Sequence, residues 1–219
     1  MLGLALFLLT GFTIAMGLAF AVWAWRSRRR TMGCLALIGV LAAGALYASA
    51  LLVVSAQSET RWLPPGEIKR FCGFYLDCHV GVAVKAVRWA KQLGGAGPTA
   101  DGRFAVVTLE VSSDASRVTL GPAKLEAVIV DSRGRRYARA LEAERRLGAN
   151  TGAVAGLEEQ VPAGGSYRRE LVFDVPESAT APLGLLVTDG LPPDTWIESV
   201  LVDDDDSLFH QPTLLRLPG

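Results

Sequence analysis

Two uncharged apolar stretches at the N-terminus constrain this chain more than anything that follows them. Leu2 to Trp25 and Met32 to Ala56 contain no charged residue, and between them lies the short run Arg26-Ser27-Arg28-Arg29-Arg30 with Thr31. A helix needs roughly 20 apolar residues to cross the hydrocarbon of a bilayer, and both stretches exceed that. Lipid offers no partner to backbone N–H and C=O groups, so a spanning stretch must be helical. The expectation is a two-helix transmembrane hairpin over residues 1–56, with helices over 2–25 and 32–56 and a loop over 26–31. Recurrent small residues (Gly11, Gly17, Gly33, Gly39, Gly44) would let the two helices pack closely.

The loop arginines set the orientation. Short loops rich in Arg and Lys stay in the cytoplasm, so Arg26, Arg28, Arg29 and Arg30 are expected inside, and everything after about Ala56 outside. Trp23 and Trp25 suit the aromatic belt beside them. A secretory signal is the competing reading: the second stretch has arginines before it and Val54-Ser55-Ala56 as a small-residue cleavage site. Its apolar length favours retention over cleavage. In either case the rest of the chain ends outside the cytoplasm, and a two-pass protein of the cell membrane is expected, with its C-terminal domain on the periplasmic or cell-surface side.

Charge is unevenly spread. The chain has 219 residues, 22 basic and 22 acidic. Taking away the four loop arginines leaves 18 basic against the 22 acidic residues, all of them beyond Gln57. A mildly acidic domain lacks the clustered basic face that nucleic acid requires, so nucleic acid is excluded as a partner.

Residues 57–69 read as a polar tether carrying Pro64-Pro65-Gly66, and residues 70–219 as one domain. Val80, Val82, Val84 and Ala86 alternate with other residues, and β-branched or apolar runs follow at 104–111, 124–130, 170–175, 183–187, 196–202 and 213–217. Gly94-Gly95-Ala96-Gly97-Pro98, Asp131-Ser132-Arg133-Gly134, Pro162-Ala163-Gly164-Gly165 and Leu191-Pro192-Pro193-Asp194 supply turns between them. Ala138 to Arg146 fits a short helix or an irregular loop. Seven or so short strands with frequent turns predict an all-β domain, an antiparallel β-sandwich.

The order Asp131-Ser132-Arg133-Gly134-Arg135-Arg136-Tyr137, then Val161-Pro162-Ala163-Gly164-Gly165-Ser166, then Leu171-Val172-Phe173-Asp174-Val175-Pro176 carries a resemblance. It resembles the telokin-like, immunoglobulin-like extracytoplasmic domains of bacterial lipoproteins and secreted mycobacterial antigens. The likeness spans roughly Phe104 to Asp189 and implies an immunoglobulin-like sandwich. Its motifs encode hairpins, so it implies no catalytic residues.

Cys72 and Cys78, in Phe71-Cys72-Gly73-Phe74-Tyr75-Leu76-Asp77-Cys78-His79, are the sharpest local feature. In an oxidising compartment such a pair is expected to close a disulfide. A metal site using Cys72, Cys78 and His79 has suitable donors but no common ligand spacing, and the two-residue spacing of redox motifs is absent. Cys34 lies in the second apolar stretch and reads as an inert small apolar residue; Thr31-Met32-Gly33-Cys34 is not a lipoprotein signal, because arginines directly precede it. Asp203-Asp204-Asp205-Asp206, with His210 nearby, reads as a solvated acidic loop. These carboxylates and His210 are weaker candidates for a cation site, because the Asp-x-Asp-x-Asp-Gly spacing is missing. No nucleophile elbow, phosphate-binding glycine loop or zinc-protease helix occurs. The expectation is a membrane-anchored interaction or scaffold module without catalysis or cofactor, whose partners are the membrane and another envelope or membrane protein. A metal-binding or redox-sensing envelope protein, or an accessory subunit of a membrane complex, are the alternatives.

Overall fold

The computed structural model describes residues 2–71, 78–94, 97–122, 125–151, 157, 159–189, 199–202 and 207–218. They fall in two compact units.

The first unit, Met1–Glu59 with Thr195–Gln211, is built on α1 (Leu2–Arg26) and α2 (Arg30–Gln57). Both are long and apolar enough to span a bilayer. Small residues set their approach: Ala21 and Ala24 are buried, and a Cβ on Gly17 would press within 2.5 Å of Val40 Cγ2. Gly33 sits against the Trp25 indole, where a Cβ would lie 3.0 Å from the ring. Side chains such as Leu9, Phe12, Leu35 and Leu41 point outward and are exposed, as faces turned to lipid would be. The reversal between the helices is tight. Ser27 N–H donates to Trp23 O at 2.9 Å and Arg29 N–H to Ala24 O at 2.8 Å, while Arg28 takes a φ of 59°.

The second unit, Thr60–Asp194 with Pro212–Gly219, contains two sheets. The strands are β1 (Arg61–Leu63), β2 (Lys69–Phe71), β3 (Val80–Gln92), β4 (Thr99–Ser113), β5 (Leu125–Val130), β6 (Arg136–Tyr137), β7 (Ser166–Val175), β8 (Gly184–Asp189) and β9 (Thr213–Arg216). One sheet runs β1-β9-β8-β5-β6 and the other β2-β3-β4-β7. Alternate residues of both sheets meet in one core: Val82, Val107, Leu109, Leu171 and Phe173 from one, Ile129, Leu185, Val187 and Leu215 from the other. The helix α3 (Leu141–Thr151) covers part of the opposite face of β4 and β7, where Ala143 packs with Phe104, Val106 and Val172.

Several expectations need correction. The sheets are not purely antiparallel, because β1 pairs with β9 in parallel. β1 and β2 lie within or at the end of the stretch read as a tether; three-residue strands are too short to display a period of two. Ala138 to Arg146 is resolved in favour of a helix, which starts at Leu141. The alternation Val80-Val82-Val84-Ala86 breaks at a register shift between Val84 and Ala86. The extra residue reverses the phase, so Ala86 faces out while Val87 and Trp89 rejoin the core. The strand read at 196–202 is not formed at its described end: residues 199–202 are turns and belong to the helical unit.

Candidate functional site

The cluster of chemically active side chains closest to the sequence-predicted cysteine segment is made by strand register. β3 and β4 pair Val80 with Ser113, so the next residues outward, His79 and Asp114, face one another, and Asp114 N–H donates to His79 O at 3.1 Å. β2 lies on the other side of β3 with Arg70 opposite Gly81. A Cβ on Gly81 would strike Ile68 and Lys69, so only glycine allows β2 this close. The result is a three-residue cluster. His79 Nδ1–H donates to Asp114 Oδ1 and Arg70 binds Asp114 Oδ2, each at 2.5 Å, and the Arg70 guanidinium also donates to the Cys78 carbonyl at 3.4 Å. The His79 hydrogen bond, opposed by desolvation and supported by Arg70, holds the Asp114 carboxyl below its usual range. All three side chains are about half exposed.

This arrangement has a clear electrostatic character. Both oxygens of the Asp114 carboxylate are taken, one by Arg70 and the other by His79. Cys78 is half-buried beside it. Cys72 lies outside the described residues, as do Asp203, Asp204, Asp205 and Asp206, so the expected disulfide and the acidic run do too. His210 is described: its Nδ1 sits 2.9 Å from the neighbouring Gln211 carbonyl. Cys34 is exposed on α2. Arg26, Arg28, Arg29 and Arg30 are all exposed at the helix reversal, and the Arg29 guanidinium lies 5.9 Å from the Trp23 ring centroid.

A second polar centre was readable only as a turn. Asp131, at the end of β5, is buried, and its Oδ1 accepts from Arg133 N–H at 2.9 Å and Arg135 N–H at 3.0 Å. Its Oδ2 accepts from Arg135 Nε at 2.8 Å and Tyr137 Oη at 3.0 Å. Burial pushes the Asp131 carboxyl up, but these donors, with Thr180 N–H, outweigh it and hold it well below the usual carboxylate range. Gly134, at φ 76°, lets the chain turn back so that both Arg backbone amides reach the carboxylate. This centre holds the β5–β6 turn and is structural.

The outward row on the second sheet is an ion network: Glu110 receives Lys85 at 2.7 Å and Arg168 at 2.9 Å across three strands. The Lys85 hydrogen bond is the leading cause of a lowered Glu110 carboxyl. Toward the other end of β4, the Arg103 guanidinium stacks 4.0 Å from the Trp89 ring centroid.

Fold and site together define a two-sheet β domain preceded by a pair of helices apolar enough to cross a membrane. No protein-family description matches the chain, and no curated protein does. Among solved structures the chain is similar to a conserved hypothetical protein from Bacillus anthracis at 17% identity, over 57% of this chain and 93% of that one, with a TM-score of 0.43. It is also similar to the yjhA protein from Bacillus subtilis at 12% identity, over 71% of this chain and 98% of that one, with a TM-score of 0.44. A third likeness is to MPT63, a secreted protein from Mycobacterium tuberculosis, at 14% identity, over 63% of this chain and 95% of that one, with a TM-score of 0.41.

Proposed function

We propose that the chain is a membrane-anchored interaction or scaffold module whose β domain, an immunoglobulin-like sandwich of the telokin-like kind, lies on the extracytoplasmic side and catalyses nothing. The observation that carries this reading is the tight arginine-bearing reversal between two outward-apolar helices. Arginines in so short a turn stay in the cytoplasm, and a two-pass hairpin then returns the chain to the outer side. The sheet offers a docking edge. β2 covers β3 only at Val80–Val82, so among the described residues Ala86 to Gln92 pairs with β4 on one side and with no strand on the other. An open edge of this kind can take an added strand from an envelope or membrane protein.

Topology is tested with reporters fused after Gly219. Alkaline phosphatase should be active there and green fluorescent protein dark; a fluorescent fusion would overturn the outside placement. Photo-crosslinkers at Arg88 and Ala90 should then capture a protein partner in intact membranes. Failure of both positions to crosslink any protein, or turnover of a substrate by the purified full chain, would defeat the interaction-module reading.

A further inference from the structure

The β8–β9 connection is much longer than its strands require. Gly184 and Leu185 pair antiparallel with Arg216 and Leu215, and neighbours of this kind are ordinarily joined by about two to five residues. Here residues 190–212 intervene, and Thr195–Gln211 belong to the unit of the helical hairpin. The described parts of that stretch, 199–202 and 207–211, are held on the helices by specific contacts. Tyr47 Oη–H donates to the Val200 carbonyl at 2.5 Å, and Gln211 N–H donates to Ser58 Oγ at 2.8 Å. A Cβ on Gly3 would collide with the Val202 carbonyl, so the glycine admits the segment at the start of α1. Tyr47, Leu51 and Ser55 recur every four residues and share one face of α2. Leu51 and Ser55 are buried, as are Leu201 and Ser207 in the segment. Leu208 N–H to Ser199 O at 2.8 Å ties its two described parts together.

These contacts lie at a definite depth. With Arg30 at the inner boundary, helix rise puts Tyr47 about 26 Å and Ser58 about 42 Å along α2, and Gly3 about 35 Å from Arg26 along α1. The hydrocarbon ends about 30 Å from the inner boundary. The attachments therefore bracket the outer edge of the apolar layer. At that level Leu208 is 48% and Phe209 72% exposed. Phe209 has a φ of 67°, which a bulky residue rarely adopts. It is flanked by the hydrogen bonds of Leu208, His210 and Gln211. The outward apolar side chains of the helices at the same end, Leu6, Leu8, Leu52 and Val53, are exposed as well.

We propose that residues 199–202 and 207–211 form an interfacial segment, and that Leu208 and Phe209 enter the outer leaflet of the bilayer crossed by α1 and α2. The proposal rests on the membrane-spanning reading above. Lipid is the occupant because the attachments at Tyr47, Ser58 and Gly3 hold the segment that carries these two exposed side chains at the outer edge of the apolar layer, and an aromatic beside a leucine is suited to the headgroup boundary.

The test uses full-length protein reconstituted in phosphatidylcholine vesicles, as wild type, Phe209→Trp and Leu208→Trp, with lipids brominated near the glycerol end of their chains. Wild-type emission should be quenched through Trp23 and Trp25, reporting the spans. The emission each variant adds should be mostly lost to brominated lipid and unaffected by aqueous iodide. An unquenched wild type would mean that the hairpin does not span, which removes the proposal together with the reading beneath it. A quenched wild type whose variants add emission insensitive to brominated lipid would overturn the interfacial segment alone. Iodide access would then indicate water, and its absence would indicate protein cover.

Discussion

Replacing Asp131 with Asn alters one atom of a buried carboxylate, and the consequence follows from what surrounds it. The residue is 3% exposed and its side chain is fully buried. Oδ1 faces two backbone N–H groups and Oδ2 faces the Arg135 guanidinium and the Tyr137 hydroxyl. Whichever way the Asn amide is turned, its NH2 points at two donors, and Arg135 loses its charge partner. Hydrogen bonds to a charged group contribute roughly 1.5–3 kcal/mol, and breaking a buried ion pair costs roughly 3–5, so with Arg135 partly solvated we expect a loss of about 3 kcal/mol. For a domain of this size that lowers the melting temperature by roughly 6–12 °C. The assay is thermal and urea unfolding of the full chain in detergent, followed through tryptophan emission. The acid dependence supplies a second readout. The folded carboxyl titrates well below the ordinary aspartate range, so the native state holds fewer protons than the unfolded state as pH falls. Its stabilisation is complete above about pH 5 and declines as pH drops through the unfolded value and beyond. D131N should therefore flatten the acid limb as well as lower the plateau. A variant within about 0.5 kcal/mol of wild type, the usual scatter of surface substitutions, with an unchanged acid limb would refute the reasoning.

Three further outcomes are expected. Glu144 binds Arg139 at 2.6 and 2.9 Å and also accepts Val172 N–H at 2.9 Å, so it closes the edge of β7; Glu144→Ala should cost about 1–3 kcal/mol in urea unfolding by leaving that amide unpaired. Alkylation of unreduced denatured protein should modify Cys34 alone, and reduction should add two sites, whereas three reactive thiols before reduction would rule out the Cys72–Cys78 disulfide. Replacing Arg26, Arg28, Arg29 and Arg30 by Gln should give mixed or inverted orientation of the C-terminal reporter, because the charge bias that retains the loop is removed; unchanged orientation would show that another feature directs insertion.

The parts of the fold that were legible in the sequence are those in which the residues carrying the signal also do the burying. The two apolar stretches become α1 and α2 with a helix reversal at the arginines, Phe104 to Val111 becomes the centre of β4, and Glu170 to Val175 becomes the second half of β7. The His79–Asp114 contact was not legible, because it depends on a register that brings together residues 35 apart. Asp131-Ser132-Arg133-Gly134 was legible as a turn, but nothing local announces that its carboxylate is buried under donors that include Thr180, 49 residues further on.

The stretch 196–202 shows where period-two reasoning misleads. Val200 and Val202 alternate as a strand would, yet an alternating pattern states only that one side will be covered and does not name the covering partner. In β4 the partner is a sheet neighbour; for Val200 it is Tyr47, whose hydroxyl takes the carbonyl that a strand would have offered to a ladder. A backbone acceptor removed from water must be satisfied by some donor, and a helix side chain meets that demand as well as a neighbouring strand does. The same accounting explains why β8 and β9, which pair over two residues, are separated by so long a connection. Its described parts direct their polar groups to α2 and to one another, which leaves Leu208 and Phe209 as exposed apolar side chains that nothing among the described residues of the hairpin unit buries.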